Sequence, residues 1–224
     1  MKTAEDTRRH RRGRRIALIA SNVLLVAAAL IGTSPWTSGV YTWLVQRRLS
    51  SAVAPAHVPA PAQATRTAET SADLVWDGWE RQDARDWRTA EEGAPVGRMA
   101  IRRLGLEIAV VKGATEADLR RGPGWIPATS PPGRGNCGIS GHRTTYLAPF
   151  RDIDRLSPGD EIVLETRWRR YAYRVTQRSF LERDDSDILL PTGEPTLTLT
   201  SCHPPYTARF RLVVQARLAR VERR

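Results

Sequence analysis

A series of short β-strand patterns separated by turn signals constrains the fold of this chain more than any other feature. From about Gly93 onward the sequence predicts seven or eight such strands and little helix. One stretch, GRMAIRRLGLEIAVVKG, predicts two strands around a turn at Leu104–Gly105. Many short strands with close turns are typical of a closed or nearly closed β-barrel, so residues 93–224 are expected to form a mainly β domain of that kind.

The N-terminus predicts a membrane anchor. Residues 1–15, MKTAEDTRRHRRGRR, contain seven Lys or Arg residues and read as a basic cytoplasmic arm. Residues 16–36 carry no charge, and about 20 helical residues span a bilayer core, so this segment predicts a single transmembrane helix. A cleaved signal peptide and a DNA-binding arm are the alternatives. The expected location is the cell membrane, with the N-terminus cytoplasmic and the remaining chain outside.

Residues 37–92 are expected to be an extracellular linker. From residue 46 to residue 70 the segment is rich in Ala, Pro, Ser and Thr, which predicts an extended and poorly packed chain. Residues 71–92 contain Trp76, Trp79 and Trp87 near one face of a short predicted helix. That helix either packs against the main domain or lies at the membrane interface, and the first reading is favoured.

Charge and chain length limit the function classes. The chain has 224 residues and a net charge of +11, carried almost entirely by arginine. A basic surface is compatible with nucleic acid, an anionic membrane or an anionic cell wall. The predicted membrane anchor favours the last two partners over nucleic acid. The acidic stretch ERDDSD, residues 182–187, predicts a solvated loop, and no metal or cofactor is implied.

Cys202 is the first candidate catalytic residue. TLTLTSC alternates Leu with Thr as a half-buried strand does, and the cysteine stands at the strand end, where reactive groups are often held. A cysteine nucleophile needs a nearby cation or imidazole. Arg209 and Arg211 on the next strand share a face by alternation, and a hairpin would bring them beside Cys202.

Two histidines, His142 and His203, lie in the predicted barrel. His203 adjoins Cys202 and points the opposite way on an extended chain, so His142 is the better acid–base partner. By the same parity Cys137 points away from His142, which argues against a Cys137–Cys202 disulfide. The disulfide remains the alternative, and a membrane-anchored extracellular β-barrel binding module is the corresponding alternative function.

Three motifs in this order resemble the sortases, membrane-anchored cysteine transpeptidases of Gram-positive bacteria. TLTSC resembles the TLxTC signature, with serine in place of threonine before the cysteine. GISGHRTTYLAPFRDIDRLSPGDEI resembles the sortase histidine segment, and CHPPYTARFRLVV resembles the family's cysteine-to-arginine spacing. The resemblance covers about residues 95–220. The CHP tripeptide and the N-terminal anchor are most similar to class E sortases.

The resemblance implies an eight-stranded sortase barrel and assigns three catalytic roles. Cys202 would be the nucleophile, His142 the acid–base group, and Arg211 the oxyanion or substrate-backbone contact, with Arg209 as its alternate or as a second substrate contact. Two strand hydroxyls at Thr200 and Ser201 are further substrate-contact candidates, equally readable as ordinary strand hydroxyls. Tyr146 is expected at the groove entrance.

The resemblance also implies a reaction and its partners. The enzyme would cleave an LPxTG-like or LAxTG-like sorting signal of a secreted protein between Thr and Gly, and join the acyl group to an amine of a peptidoglycan precursor. A cell-wall L,D-transpeptidase also uses Cys and His, but its SHGC-type segment is absent from this sequence.

Overall fold

The computed structural model describes residues 18–26, 28, 39–52 and 79–224. Residues 18–26 are helical. Within these ranges no helix is both long and apolar enough to cross a bilayer. The predicted basic arm, part of the predicted anchor, half of the predicted linker and Trp76 lie outside the described residues.

Eight strands close into a barrel, as the turn-rich sequence predicts. The strands are β1 (Pro95–Ile101), β2 (Leu106–Lys112), β3 (Gly124–Trp125), β4 (Asn136–Ser140), β5 (Glu161–Glu165), β6 (Arg169–Glu182), β7 (Thr196–His203) and β8 (Phe210–Arg223). Their order around the barrel is β1-β2-β3-β4-β7-β8-β6-β5. The central pairs for function are β4 with β7, which run parallel, and β7 with β8, which run antiparallel.

Turns and short helices appear where the sequence predicts them. The β1–β2 connection turns at Gly105, whose φ of 60° is a left-handed value that glycine adopts at little cost. Helix α3 (Glu116–Leu119) begins with a capping box, in which the side chains of Thr115 and Asp118 each bind the other's backbone N–H. Strand β3 has two residues and was not predicted, because it is too short to show alternation.

Side chains alternate between the barrel interior and its outer face. The apolar cluster inside the barrel includes Ile139 of β4, Leu197 and Leu199 of β7, and Leu212 and Val214 of β8. Each of these strands therefore directs its other residues outward. This parity decides which functional candidates share a surface.

Helix α2 (Trp79–Thr89) packs on the end of the barrel where β4 begins. The buried carboxylate of Asp83 accepts a hydrogen bond of 2.8 Å from the hydroxyl of Tyr171, and burial raises the pKa of Asp83 to about 6. The buried ring of Trp87 meets Trp125 edge to face, with centroids 5.4 Å apart. The reading of a helix packed on the main domain is therefore the one that the structure supports.

A helix also covers residues 39–52, here called α1, and it docks on the barrel. The side-chain amide of Gln46 accepts from the N–H of Ala109 at 2.9 Å and donates to its carbonyl at 3.2 Å, as a neighbouring strand would. The hydroxyl of Thr42 donates to the carbonyl of Arg120 at 2.9 Å. The expectation of an extended, poorly packed chain is therefore wrong for residues 46–52, because buried polar contacts fix this helix.

Candidate active site

Cys202 and Arg211 face each other directly across the β7–β8 ladder. Directly opposed residues of an antiparallel pair point to the same face, with Cβ atoms about 5 Å apart. Both are half-buried, and both alternate with interior residues, so their side chains lie on the outer face of the barrel. The register therefore places the side chain of Arg211 next to that of Cys202 on the same face.

Arg209 lies just outside this arrangement. Strand β8 begins at Phe210, so the prediction that Arg209 and Arg211 share one strand face is wrong for Arg209. Its side chain is exposed, and its guanidinium lies over the ring of Phe210 at 5.1 Å. Arg211 is the arginine that the ladder fixes opposite Cys202, and a substrate contact by Arg209 stays a prediction.

The pairing of β4 with β7 brings His142 towards Cys202. Ser140 pairs with Thr200, and the N–H of Gly141 donates to the Thr200 carbonyl at 3.1 Å. The hydroxyl of Ser201 then donates to the Gly141 carbonyl at 2.8 Å, which extends the contact one residue further. His142 is the next residue after Gly141, and Cys202 is the next residue after Ser201. Adjacent segments in register thus deliver the imidazole and the thiol to one end of the barrel.

The backbone approach before His142 requires glycine. A Cβ atom at position 141 would lie 2.6 Å from a ring carbon of Phe150, closer than nonbonded carbons approach. The backbone N–H of Phe150 donates to the His142 carbonyl at 3.0 Å. Phe150 therefore both excludes a side chain at position 141 and holds the backbone of His142.

The imidazole of His142 is half-buried, and one of its ring nitrogens has no partner in the described part of the chain. Its Nε2 atom is buried and has no hydrogen-bond partner among the residues that the structure describes. Burial lowers the pKa of His142; the nearby Glu116 carboxylate raises it and the Arg120 guanidinium lowers it. A buried, unpaired imidazole nitrogen at a site is a position from which a proton can pass to or from a bound group.

Cys137 lies inside the barrel, away from this site. It is fully buried in the apolar cluster, burial raises the pKa of its thiol, and it faces the interior while Cys202 faces outward. Both cysteines are free thiols. The alternative of a structural Cys137–Cys202 disulfide is therefore wrong, and the disulfide-stapled binding module loses the feature on which it depended.

The two predicted hydroxyl contacts differ in orientation. Thr200 is on the same face of β7 as Cys202 and is buried there. Ser201 faces the other way, and its hydroxyl is used by the Gly141 carbonyl. The position occupied by threonine in the TLxTC signature thus joins β7 to the segment before His142 through a hydroxyl that serine also supplies.

Tyr146 packs beside His142 in an unusual loop. The two ring centroids are 5.1 Å apart. Tyr146, Leu147 and Ala148 all have positive φ, between 44° and 63°, a left-handed conformation that costs about 1–2 kcal/mol for each residue with a Cβ atom. Strained backbone of this kind concentrates at functional sites. The structure thus places the Tyr146 ring beside His142, and its predicted location at the groove entrance stays a prediction.

Helix α3 and the residue that follows it supply two charged side chains that were not predicted from the sequence. Arg120, which follows α3, forms an ion pair with Glu116 and lies over the Tyr146 ring at 5.7 Å. Their signal in the sequence was an i,i+4 acid–base pair, which usually marks a solvated helix face. Only the fold shows that this pair stands beside the His142 ring. Within the described ranges, no group of three or more His, Cys, Asp or Glu residues is arranged to hold a metal.

The charges of α3 should move the pKa of His142 in opposite directions. Replacing Glu116 by Gln removes a carboxylate that favours the imidazolium, so the His142 pKa should fall. Replacing Arg120 by Gln removes a cation that disfavours it, so the pKa should rise. NMR titration of the His142 ring protons in each variant measures the shifts. Shifts of the same sign would contradict this arrangement.

Comparison with known proteins identifies the family of this chain. The Sortase domain family model matches residues 99–219, more than half of the chain. The chain belongs to the sortase family. Sortases are cysteine transpeptidases, and the matched region contains the β4, β7 and β8 segments that carry His142, Cys202 and Arg211. The family resemblance that the sequence motifs indicate is confirmed.

Curated relatives include sortases E. Sortase SrtE2 of Streptomyces coelicolor is 31% identical over 185 residues, which covers 71% of this chain and 72% of that protein. Sortase SrtE1 of the same organism is 32% identical over 93 residues, 38% of this chain and 26% of that protein. Sortase A of Bacillus anthracis is 32% identical over 108 residues, 48% of this chain and 51% of that protein. The match thus spans about a quarter of SrtE1 and about half of the Bacillus anthracis sortase A.

Solved sortase structures share the barrel. Sortase E from Streptomyces avermitilis superposes with a TM-score of 0.55 at 32% identity, covering 60% of this chain and 93% of that chain. Sortase E1 from Streptomyces coelicolor, solved with a tripeptide in its active site, gives a TM-score of 0.56 at 26% identity and covers 60% and 94%. The predicted eight-stranded sortase barrel is confirmed.

Proposed function

We propose that this chain is a transpeptidase that cleaves a C-terminal sorting signal between Thr and Gly and transfers the acyl group to an amine. The observation that carries the proposal is the β7–β8 register, which sets Arg211 opposite Cys202 on the outer face of the barrel. The register of β4 with β7 brings His142 to the same barrel end. A nucleophile, a proton carrier and an oxyanion donor are the groups that acyl transfer requires.

In the first half-reaction the Cys202 thiolate attacks the Thr carbonyl carbon of the signal. Arg211 donates hydrogen bonds to the oxyanion that develops on that carbonyl, or holds the adjacent substrate backbone. The His142 imidazolium gives its proton to the leaving Gly nitrogen as the C–N bond breaks. The products are a thioacyl-enzyme and a free amine, and His142 is left neutral.

In the second half-reaction a peptidoglycan-precursor amine attacks the thioester. Neutral His142 takes a proton from this amine, the new amide bond forms, and the Cys202 sulfur leaves as a thiolate. Burial lowers the pKa of His142, which favours the neutral ring that this step needs. The proton carrier thereby returns to its starting state.

The substrate and its location follow from the family and the N-terminal sequence. The resemblance to class E sortases implies an LAxTG-like signal, with LPxTG as the second candidate. Residues 16–36 would anchor the chain in the cell membrane with the N-terminus cytoplasmic and the barrel outside, where secreted substrate proteins and wall precursors meet. No nucleic-acid partner is proposed.

A ligation assay tests this function. The full chain in neutral detergent is mixed with dye-labelled LAxTG and LPxTG peptides, with and without a peptide that begins with glycine. We expect a new product that joins the dye-labelled LAxT fragment to the glycine peptide, formed faster than the LPxTG product. Mass spectrometry identifies it. Hydrolysis at an unchanged rate with no joined product, in the presence of excess amine, would instead show a protease.

A further inference from the structure

The residues that follow the two predicted catalytic side chains contact each other. Arg143 follows His142, His203 follows Cys202, and Nη1 of Arg143 lies 2.8 Å from Nδ1 of His203. A guanidinium group can only donate, so Nδ1 must accept, and the ring proton of the neutral imidazole is on Nε2. This hydrogen bond joins the loop after β4 to the end of β7.

Arg143 is held in place by two further partners. Its side chain is 5% exposed, its Nη2 atom pairs with Asp154 at 2.6 Å, and its Nε donates to the Arg151 carbonyl at 3.3 Å. A buried guanidinium without an anion would be strongly unfavourable, so Asp154 stabilises the charge where it stands. Arg143 therefore presents a fixed donor to His203.

The ring of His203 is held on its other side as well. It lies against the ring of Phe180 on β6, with centroids 4.4 Å apart. Because side chains alternate along β7, His203 points to the opposite face of the strand from Cys202. The His203 side chain therefore does not point towards the thiol, and it can influence the position of Cys202 only through the backbone that joins the two residues.

We propose that Arg143 and His203 are positioning residues whose hydrogen bond holds the Cys202 end of β7 against the His142 loop. The inference rests on the proposed catalytic roles of Cys202 and His142. An exposed loop begins directly after His203, and β4 ends before His142, so the ladder alone leaves Cys202 and His142 close to strand ends. A misplacement of about 1 Å at such a site can reduce turnover about 100-fold.

A pair of substitutions at position 203 separates hydrogen bonding from packing. His203→Ala removes the acceptor, whereas His203→Asn offers a carbonyl oxygen to Arg143 in place of Nδ1. In the ligation assay with the full chain, His203→Ala should lower kcat about 10- to 100-fold with KM within about threefold. His203→Asn should keep kcat within about threefold of the wild type.

An Arg143→Gln background tests whether the two residues act together. There the His203→Ala substitution should lower kcat by no more than about twofold further, because the bond is already lost. Thermal unfolding of each variant confirms that it is folded. If His203→Ala lowers kcat in the Arg143→Gln background by as much as it does in the wild type, the proposal is overturned. Equal losses of kcat in the His203→Ala and His203→Asn single variants would also overturn it. So would an effect on KM alone, or a wild-type kcat in both single variants.

Alkylation of Cys202 gives a readout that needs no substrate. The rate of its reaction with iodoacetamide at fixed pH should fall at least about fivefold in His203→Ala and stay near the wild-type rate in His203→Asn, because loss of the hydrogen bond displaces the sulfur from its position at the strand end. If the wild-type chain joins no peptide to an amine, the proposed function fails while these rates still decide the positioning role. Equal rates in all three proteins would overturn it.

Discussion

Replacing Cys202 by alanine is expected to abolish peptide cleavage and ligation, with a loss on the order of 10⁴-fold or more. The reason is chemical, because no other described side chain in the site can form a thioester, and the outer face around position 202 otherwise offers a threonine and an arginine. The ligation assay with LAxTG peptide and glycine peptide measures the loss. Mass spectrometry of the wild-type protein trapped without amine should show the acyl group on the peptide that contains Cys202.

Cys137 provides the matched control in the same chain. Cys137→Ala removes the other thiol but lies in the interior cluster, so it should leave turnover within about threefold. Its cost is in stability, about 1–2 kcal/mol in the free energy of unfolding, because a small cavity opens in the core. Burial also raises the pKa of Cys137 and shields it, so the native wild-type chain should react with iodoacetamide at Cys202 alone. Loss of turnover in Cys137→Ala with retention in Cys202→Ala would reverse the assignment.

The alternation of the sequence predicted which faces of β7 and β8 carry Cys202 and Arg211, and the resemblance to sortases selected Arg211 over Arg209. TLTLTSC places Leu and Cys on opposite faces, and RFRLVV does the same for Leu212 and Arg211, so the pairing of Cys202 with Arg211 needed only the hairpin register. Parity also separated Cys137 from Cys202 correctly. These successes share one cause, since strand periodicity is local and survives in any tertiary context.

The contacts between distant segments could not be predicted in the same way. Gln46 binds the backbone of β2 from a segment whose composition resembles a linker, and a single buried amide leaves no pattern in the sequence. Arg143 and His203 are sixty positions apart, and each looks like an ordinary charged or aromatic neighbour of a motif residue. The two residues of β3 likewise form a strand because they pair with β2 and β4, and not because of their own β propensity.

Replacing Arg211 by alanine is expected to lower kcat/KM about 100- to 1,000-fold, the usual effect of removing one oxyanion donor. Arg211 lies opposite Cys202 across the ladder, and a guanidinium carries its donors in a rigid fork, so Arg211→Lys, which keeps the charge without that fork, should recover only part of the activity. The ligation assay under conditions well below saturation measures both variants. Thermal unfolding shows whether the barrel remains folded.

Arg209 is the control that separates position from charge. Arg209→Ala removes the same charge two residues away, from an exposed side chain that lies over Phe210 before β8 begins. A general electrostatic attraction for substrate would make the two alanine variants similar and would weaken both effects at high salt. The ladder geometry instead predicts a large loss at 211 and a loss of less than about fivefold at 209, because Arg211 and not Arg209 is the ladder partner of Cys202. The ratio of the two losses should depend little on salt.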